Sequence, residues 1–284
     1  MNRKQLILFA LGIALLVSCS NQPGTPILSI ETHNMTSNNL SYTKEQGTAI
    51  TNDNYHIAYR FYKTDVPSNV TFVLLHMLGS DQSSYDSFVQ KILEQNNNVV
   101  TFDFRGHGAS QGNWKTFSDK DFEKMQNDLN AVIATAKRTN VSTDHLVLIG
   151  ASIGANIALL HAVKDPDVQF VIMLSPGLNY RGITINQSIE EYGDRAFEFV
   201  ASKGDTYSYD TSRYIMDLTV SKKASFRSFE GNAHGTDLLT DKLMKDILED
   251  SLDFVHNLVH THALGEALFL QRAARVIIIN LCFQ

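Results

Sequence analysis

Short apolar runs alternate with stretches of helical periodicity along most of the chain. Thr48 to Thr51 and Tyr55 to Tyr62, separated by Asn52-Asp53-Asn54, predict two antiparallel strands around a turn. After them come six apolar runs of the kind buried in a parallel sheet: Val70–Leu75, Asn98–Phe104, His145–Ile149, Val168–Leu174, Ala196–Ala201 and Ser225–Phe229. Between Phe122 and Lys137, the residues Met125, Leu129, Val132, Ile133 and Ala136 fall on one helical face. Ile153–Val163 and Asp241–Leu258 are the other clear helices. Strands separated by helices predict a three-layer α/β domain with a mostly parallel sheet, spanning residues 47–260. Such sheets bind their ligands at the carboxyl ends of the strands.

The two ends of the chain break this pattern. Arg3 and Lys4 precede an uncharged apolar stretch from Leu6 to Val17, shorter than the ~20 residues that span a bilayer and shaped like a secretory signal. It runs into Leu16-Val17-Ser18-Cys19, which resembles the bacterial lipobox. That resemblance implies removal of residues 1–18, lipidation of Cys19 and a lipid anchor holding the protein to a membrane of the bacterial cell envelope. Residues 19–46 are rich in Asn, Ser, Thr and Pro and read as a flexible tether. Residues 261–284 form a C-terminal tail without an assigned role, ending in the apolar run Val276–Phe283.

Composition narrows the function. With 43% hydrophobic, 10% aromatic and 19% charged residues and only 5 Pro in 284, the chain is built to bury a core. Its net charge of −6, with no run of Lys or Arg, argues against nucleic acid as a partner and for a small molecule. Two cysteines, Cys19 and Cys282, make neither a disulfide framework nor a four-cysteine zinc site. No metal cluster, P-loop or dinucleotide fingerprint is present in the sequence, so neither metal nor cofactor is expected.

Chemistry concentrates where the strand ending at Ile149 meets the helix starting at Ile153. The connection, Gly150-Ala151-Ser152-Ile153-Gly154, is Gly-x-Ser-x-Gly in a strand-turn-helix setting, which thrusts a serine hydroxyl out above the sheet. The amide of Ile153 then lies at a helix N-terminus, where unpaired N–H groups favour an anion. These features, with two further segments, resemble the α/β-hydrolase family. His76-Met77-Leu78-Gly79-Ser80 is similar to its oxyanion loop, although Met77 stands where glycine is common. Asp103-Phe104-Arg105-Gly106-His107-Gly108-Ala109-Ser110 is similar to a turn that is chiefly structural in the family.

The resemblance implies Ser152 as nucleophile, His234 in Ala233-His234-Gly235 as its base, and the amides of Met77 and Ile153 as the oxyanion hole. In this fold the acid falls between serine and histidine. Asp205 is the leading candidate, with Asp210 and Asp194 as alternatives. His161, His256, His260 and His262 belong to the helix after Ser152 or to the last helix and beyond. The segment from Ser175 to Arg195 is too short for a separate cap domain, so no large cap is expected and the site should be open, with Leu178 and Tyr180 as substrate contacts. The expected reaction is cleavage of a small ester or thioester through an acyl-enzyme. A serine peptidase or amidase of the same fold, and a non-catalytic surface binding lipoprotein, are the alternatives.

Overall fold

The computed structural model describes residues 29–35 and 40–257. Residues 1–28, 36–39 and 258–284 lie outside them, and with these the signal segment, Cys19, the end of the last helix and the C-terminal tail. Strands β1 (Ser29–Met35), β2 (Leu40–Ile50) and β3 (His56–Thr64) form an antiparallel meander. Strand β4 (Val70–Leu75) leads through helix α1 (Asp86–Glu94) to β5 (Asn98–Phe102), and α2 (Asp119–Glu123) and α3 (Met125–Arg138) lead to β6 (His145–Ala151). There follow α4 (Ile153–Ala162), β7 (Val168–Leu174), the short strands β8 (Asn179–Tyr180) and β9 (Ile183–Thr184), and α5 (Asn186–Glu191). Strand β10 (Ala196–Ser202), α6 (Thr206–Leu218), β11 (Ala224–Phe229) and helical residues 241–257, here α7, complete the order.

Nine strands make one sheet in the order β1-β2-β3-β5-β4-β6-β7-β10-β11. Pairing is antiparallel from β1 to β5 and parallel from β5 to β11. The central strands are buried along their whole length, as expected when helices cover both faces of a parallel sheet. One apolar cluster packs α3, α4 and the 183–192 segment on one face; the other packs α1 and α7 on the opposite face. The fold is thus a three-layer α/β-hydrolase fold with a mostly parallel sheet.

Three departures from the sequence reading have physical causes. Residues 29–35 and 40–46, placed in the tether, are instead strands of the main sheet. An antiparallel strand with one solvated face needs few apolar residues, and Tyr42, 5% exposed, is the anchor that β2 offers the core in that stretch. The single helix expected from Phe122 to Lys137 is divided at Lys124, and its first piece begins earlier because the amide and hydroxyl of Ser118 both donate to the Asp121 carboxylate. Helix α6 is absent from the sequence reading because most of its buried face is small and polar: Ser208, Thr211 and Ser212, with Ile215 as the aliphatic member.

Candidate active site

Ser152 lies between β6 and α4 with φ 54° and ψ −118°, a left-handed conformation that is strained for a residue with a side chain. Its N–H donates to the carbonyl of Leu174 at the end of β7, 2.8 Å away, which fixes the turn from the neighbouring strand. Both glycines of the motif are sterically required. A Cβ on Gly150 would lie 2.3 Å from the Gly154 carbonyl oxygen, and one on Gly154 would lie 2.5 Å from the Leu75 oxygen and 2.7 Å from that of His76. Their absent side chains let the first turn of α4 dock against the end of β4. The amides of Ile153 and Met77 consequently belong to adjoining segments.

His234 follows β11, and Asp205 follows β10 as the residue before α6. Their side chains meet, with Nδ1 of His234 2.6 Å from Oδ2 of Asp205. A carboxylate accepts only, so Nδ1 carries the proton and Nε2 is left to accept one. The two loops are also joined by backbone: the Lys203 N–H donates to the Phe229 carbonyl and the Gly204 N–H to that of Gly231, each at 2.8 Å. Gly204 itself has no room for a side chain, since a Cβ there would lie 1.8 Å from Oδ1 of Asn232. Of the two alternative acids, Asp210 is exposed on α6, and Asp194 accepts from the Lys222 amide at the opposite end of the sheet.

Two neutral histidines staple the oxyanion loop to the turn after β5. Nε2 of the fully buried His76 accepts from the Phe104 N–H at 2.9 Å, while Nδ1–H donates to the Met77 carbonyl at 2.8 Å. Burial pushes its pKa down to about 3, so the ring stays uncharged. His107 works in the same way: Nε2 accepts from the Gly79 N–H at 3.1 Å and Nδ1–H donates to the Arg105 carbonyl at 2.9 Å, with Trp114 stacked on the ring. Burial lowers its pKa as well. Asp103 accepts from the amides of Gln82 and Ala109 and from the Gln82 side chain, and Arg105 is paired with buried Asp128 and with Asp53. These residues therefore shape the loop and do not face a reacting atom.

The segment after β7 folds back as the β8–β9 hairpin, its turn made by Arg181 and Gly182 at positive φ. Leu178 is half-buried at its base. The Tyr180 hydroxyl donates to the Ser175 carbonyl at 3.1 Å and meets Ser208 Oγ at the same distance, and its ring stands edge-on to His234. Burial pushes the phenol up to about 12, which keeps it a neutral donor beside the site. Sequence reasoning missed the groups that hold this wall. Asn156 Nδ2 donates to the carbonyls of Gly177 at 2.7 Å and Ile183 at 3.0 Å, and Tyr207 exchanges hydrogen bonds with the backbone of Asn179. A lone amide in the apolar run Ile153–Ala162 was the available signal for Asn156; nothing local marks Tyr207.

Among the described residues no group of three or more His, Cys, Asp or Glu is arranged to hold a metal ion. The site instead offers a histidine oriented by a carboxylate and a strained serine at a helix N-terminus, the components of acyl transfer.

An esterase from Pyrococcus furiosus superposes with a TM-score of 0.65 at 18% identity, over 78% of this chain and 95% of its own. A monoacylglycerol lipase from Paleococcus ferrophilus gives 0.56 at 14%, over 70% and 99%. At these identities the likeness shows the fold. In sequence, the uncharacterized protein YfhR of Salmonella typhi is 27% identical over 154 residues, 51% of this chain and 49% of its own. A monoglyceride lipase homolog of Monkeypox virus is 30% identical over 128 residues, 45% of each chain. The chain thus spans about half the length of the curated relatives it matches. Residues 67–238, from the approach to β4 through the histidine loop, match the family described as serine aminopeptidase, S33. With that match covering more than half of the chain and both loops that meet at His234, the protein belongs to the serine aminopeptidase S33 family.

Proposed function

We propose that the protein is a serine hydrolase that cleaves a carboxylic ester or thioester through an acyl-enzyme on Ser152. The observation that carries this reading is the 2.6 Å contact between His234 and Asp205, made by loops zipped together beside a serine in the elbow conformation. Nε2 of His234 takes the Ser152 proton as Oγ attacks the carbonyl carbon. The tetrahedral oxyanion is held by the amides of Met77 and Ile153, each such donor being worth ~10²–10³ in rate. His234 then returns the proton to the leaving oxygen or sulfur. Water, deprotonated by the same nitrogen, attacks the acyl carbon and frees the acid and Ser152. Asp205 holds the imidazole in the productive tautomer and stabilises its cation.

The substrate is read as a small or medium acyl ester, since the hairpin and α5 form a low wall without a separate cap, with Tyr180 and Leu178 beside the leaving group or acyl chain. Membership of a family described as serine aminopeptidase favours amide cleavage as the second reading. A panel of p-nitrophenyl esters of increasing chain length, run beside aminoacyl p-nitroanilides, separates the two: turnover of the anilides alone defeats the ester reading. Labelling by a fluorophosphonate probe in the wild type and its loss in Ser152→Ala is the expected result. A folded wild type that never labels would make the protein a binding module. We also propose that Cys19 carries the lipid that tethers the enzyme to the bacterial envelope, supported by the sequence of residues 3–19. Labelled palmitate should enter the wild type and not Cys19→Ala.

A further inference from the structure

We propose that Ser175, outside the triad, is a positioning residue that sets the height of His234 over Ser152. Its Oγ accepts the N–H of Gly235, the residue next to His234, at 2.9 Å. Its own N–H donates to the carbonyl of Val200 on β10, the strand that delivers Asp205, at 2.7 Å. Its carbonyl accepts from the Tyr180 hydroxyl, and the carbonyl just before it, of Leu174, accepts from the Ser152 N–H. The segments that carry nucleophile, acid, base and wall therefore converge on two consecutive residues.

The backbone of Ser175 makes the hydroxyl informative. Its φ is 52°, a conformation that glycine adopts freely and serine does not. The side chain is completely buried, so solvation gives no reason for a serine there. What the residue gains over glycine is the acceptor for Gly235. That amide sits in a tight place: a Cβ on Gly235, itself at φ 58°, would lie 2.7 Å from Sδ of Met77 and 3.4 Å from Cβ of Ala151. The 234–235 peptide is thus packed against the oxyanion loop and the end of β6, with Ser175 fixing its N–H. Without the hydroxyl, a buried N–H is left unpaired and the peptide is free to turn toward another acceptor, carrying His234 with it.

The inference rests on the reading of Ser152 as nucleophile and His234 as its base, and two variants test it. Ser175→Ala removes the hydroxyl and keeps the strained φ; Ser175→Gly removes the hydroxyl and relieves it. Steady-state hydrolysis of p-nitrophenyl butyrate, the rate of fluorophosphonate labelling and the melting temperature are measured for each. Both variants should lose ~10- to 100-fold in kcat, as sub-ångström to 1 Å misplacement does, with KM within about twofold. Labelling should slow in parallel, while Ser175→Gly, whose relieved φ offsets part of the lost hydrogen bond, melts above Ser175→Ala. A Ser175→Gly enzyme within twofold of wild type in kcat and labelling overturns the positioning role, and so do activity losses that follow the melting temperatures of the two variants. A wild type that neither labels nor turns over overturns the underlying hydrolase reading instead.

Discussion

Asp205 reaches His234 across 29 residues of sequence, its Oδ2 2.6 Å from Nδ1 and its side chain 15% exposed. A carboxylate so placed selects the imidazole tautomer, and an amide in its place does not. Asp205→Asn should therefore lower kcat by about 10³–10⁴-fold with little change in KM. Asp210→Asn, at an exposed site on α6, should stay within about twofold of wild type. Steady-state kinetics on one ester substrate checks both.

Gly154→Ala forces a methyl to within 2.5 Å of the Leu75 carbonyl oxygen, and backbone on both sides leaves little to give. The variant should be less stable by ~1–3 kcal/mol, and its activity should fall further than its folded fraction, because the Ile153 amide moves with the helix. Urea unfolding and active-site titration with a fluorophosphonate measure the two effects separately.

Arg105, 1% exposed, is the cation for Asp128, which is fully buried. Arg105→Met leaves that carboxylate unpaired and should cost about 3–5 kcal/mol, read as a lowered urea midpoint. The double variant Arg105→Met, Asp128→Leu should recover much of the loss, since it removes the stranded charge.

His76 makes stability depend on pH. In the unfolded chain its imidazole gains a proton as pH falls through the ordinary value of 6.5, whereas burial holds it to about 3 in the fold. The neutral ring's contribution is complete above pH 6.5 and is lost as pH falls toward 3, at up to ~1.4 kcal/mol per pH unit. His107, lowered for the same reason, acts in the same direction. Between pH 7 and 5 the urea midpoint of His76→Gln should therefore fall less steeply than that of the wild type.

The sheet was legible because its central strands are continuous apolar runs: Val168–Leu174 in sequence is β7 residue for residue. The elbow was legible because glycine on either side of a serine has a steric meaning: a Cβ at Gly150 or Gly154 would lie 2.3 Å or 2.5 Å from a carbonyl oxygen. What escaped was held by polar groups acting over long separations. Strand β2 draws much of its stability from backbone pairing with β1 and β3, which side-chain pattern does not report. Helix α6 hides its buried face behind serine and threonine. Ser175 looks like filler in sequence, and the amide of Asn156 stands out without naming its partner, because Gly235 and Ile183 lie 60 and 27 residues away.

The proposed site straddles the sheet. Ile153 and Tyr180 belong to the apolar layer on one face, whereas Met77, within the oxyanion loop, and Leu238, just after the histidine loop, belong to the layer on the other. Neither layer alone can align Ser152 with His234, so a chain in which one has melted has no working form. Inactivation and global unfolding then become a single cooperative event, and catalytic activity serves as a gauge of whether both halves of the molecule are intact.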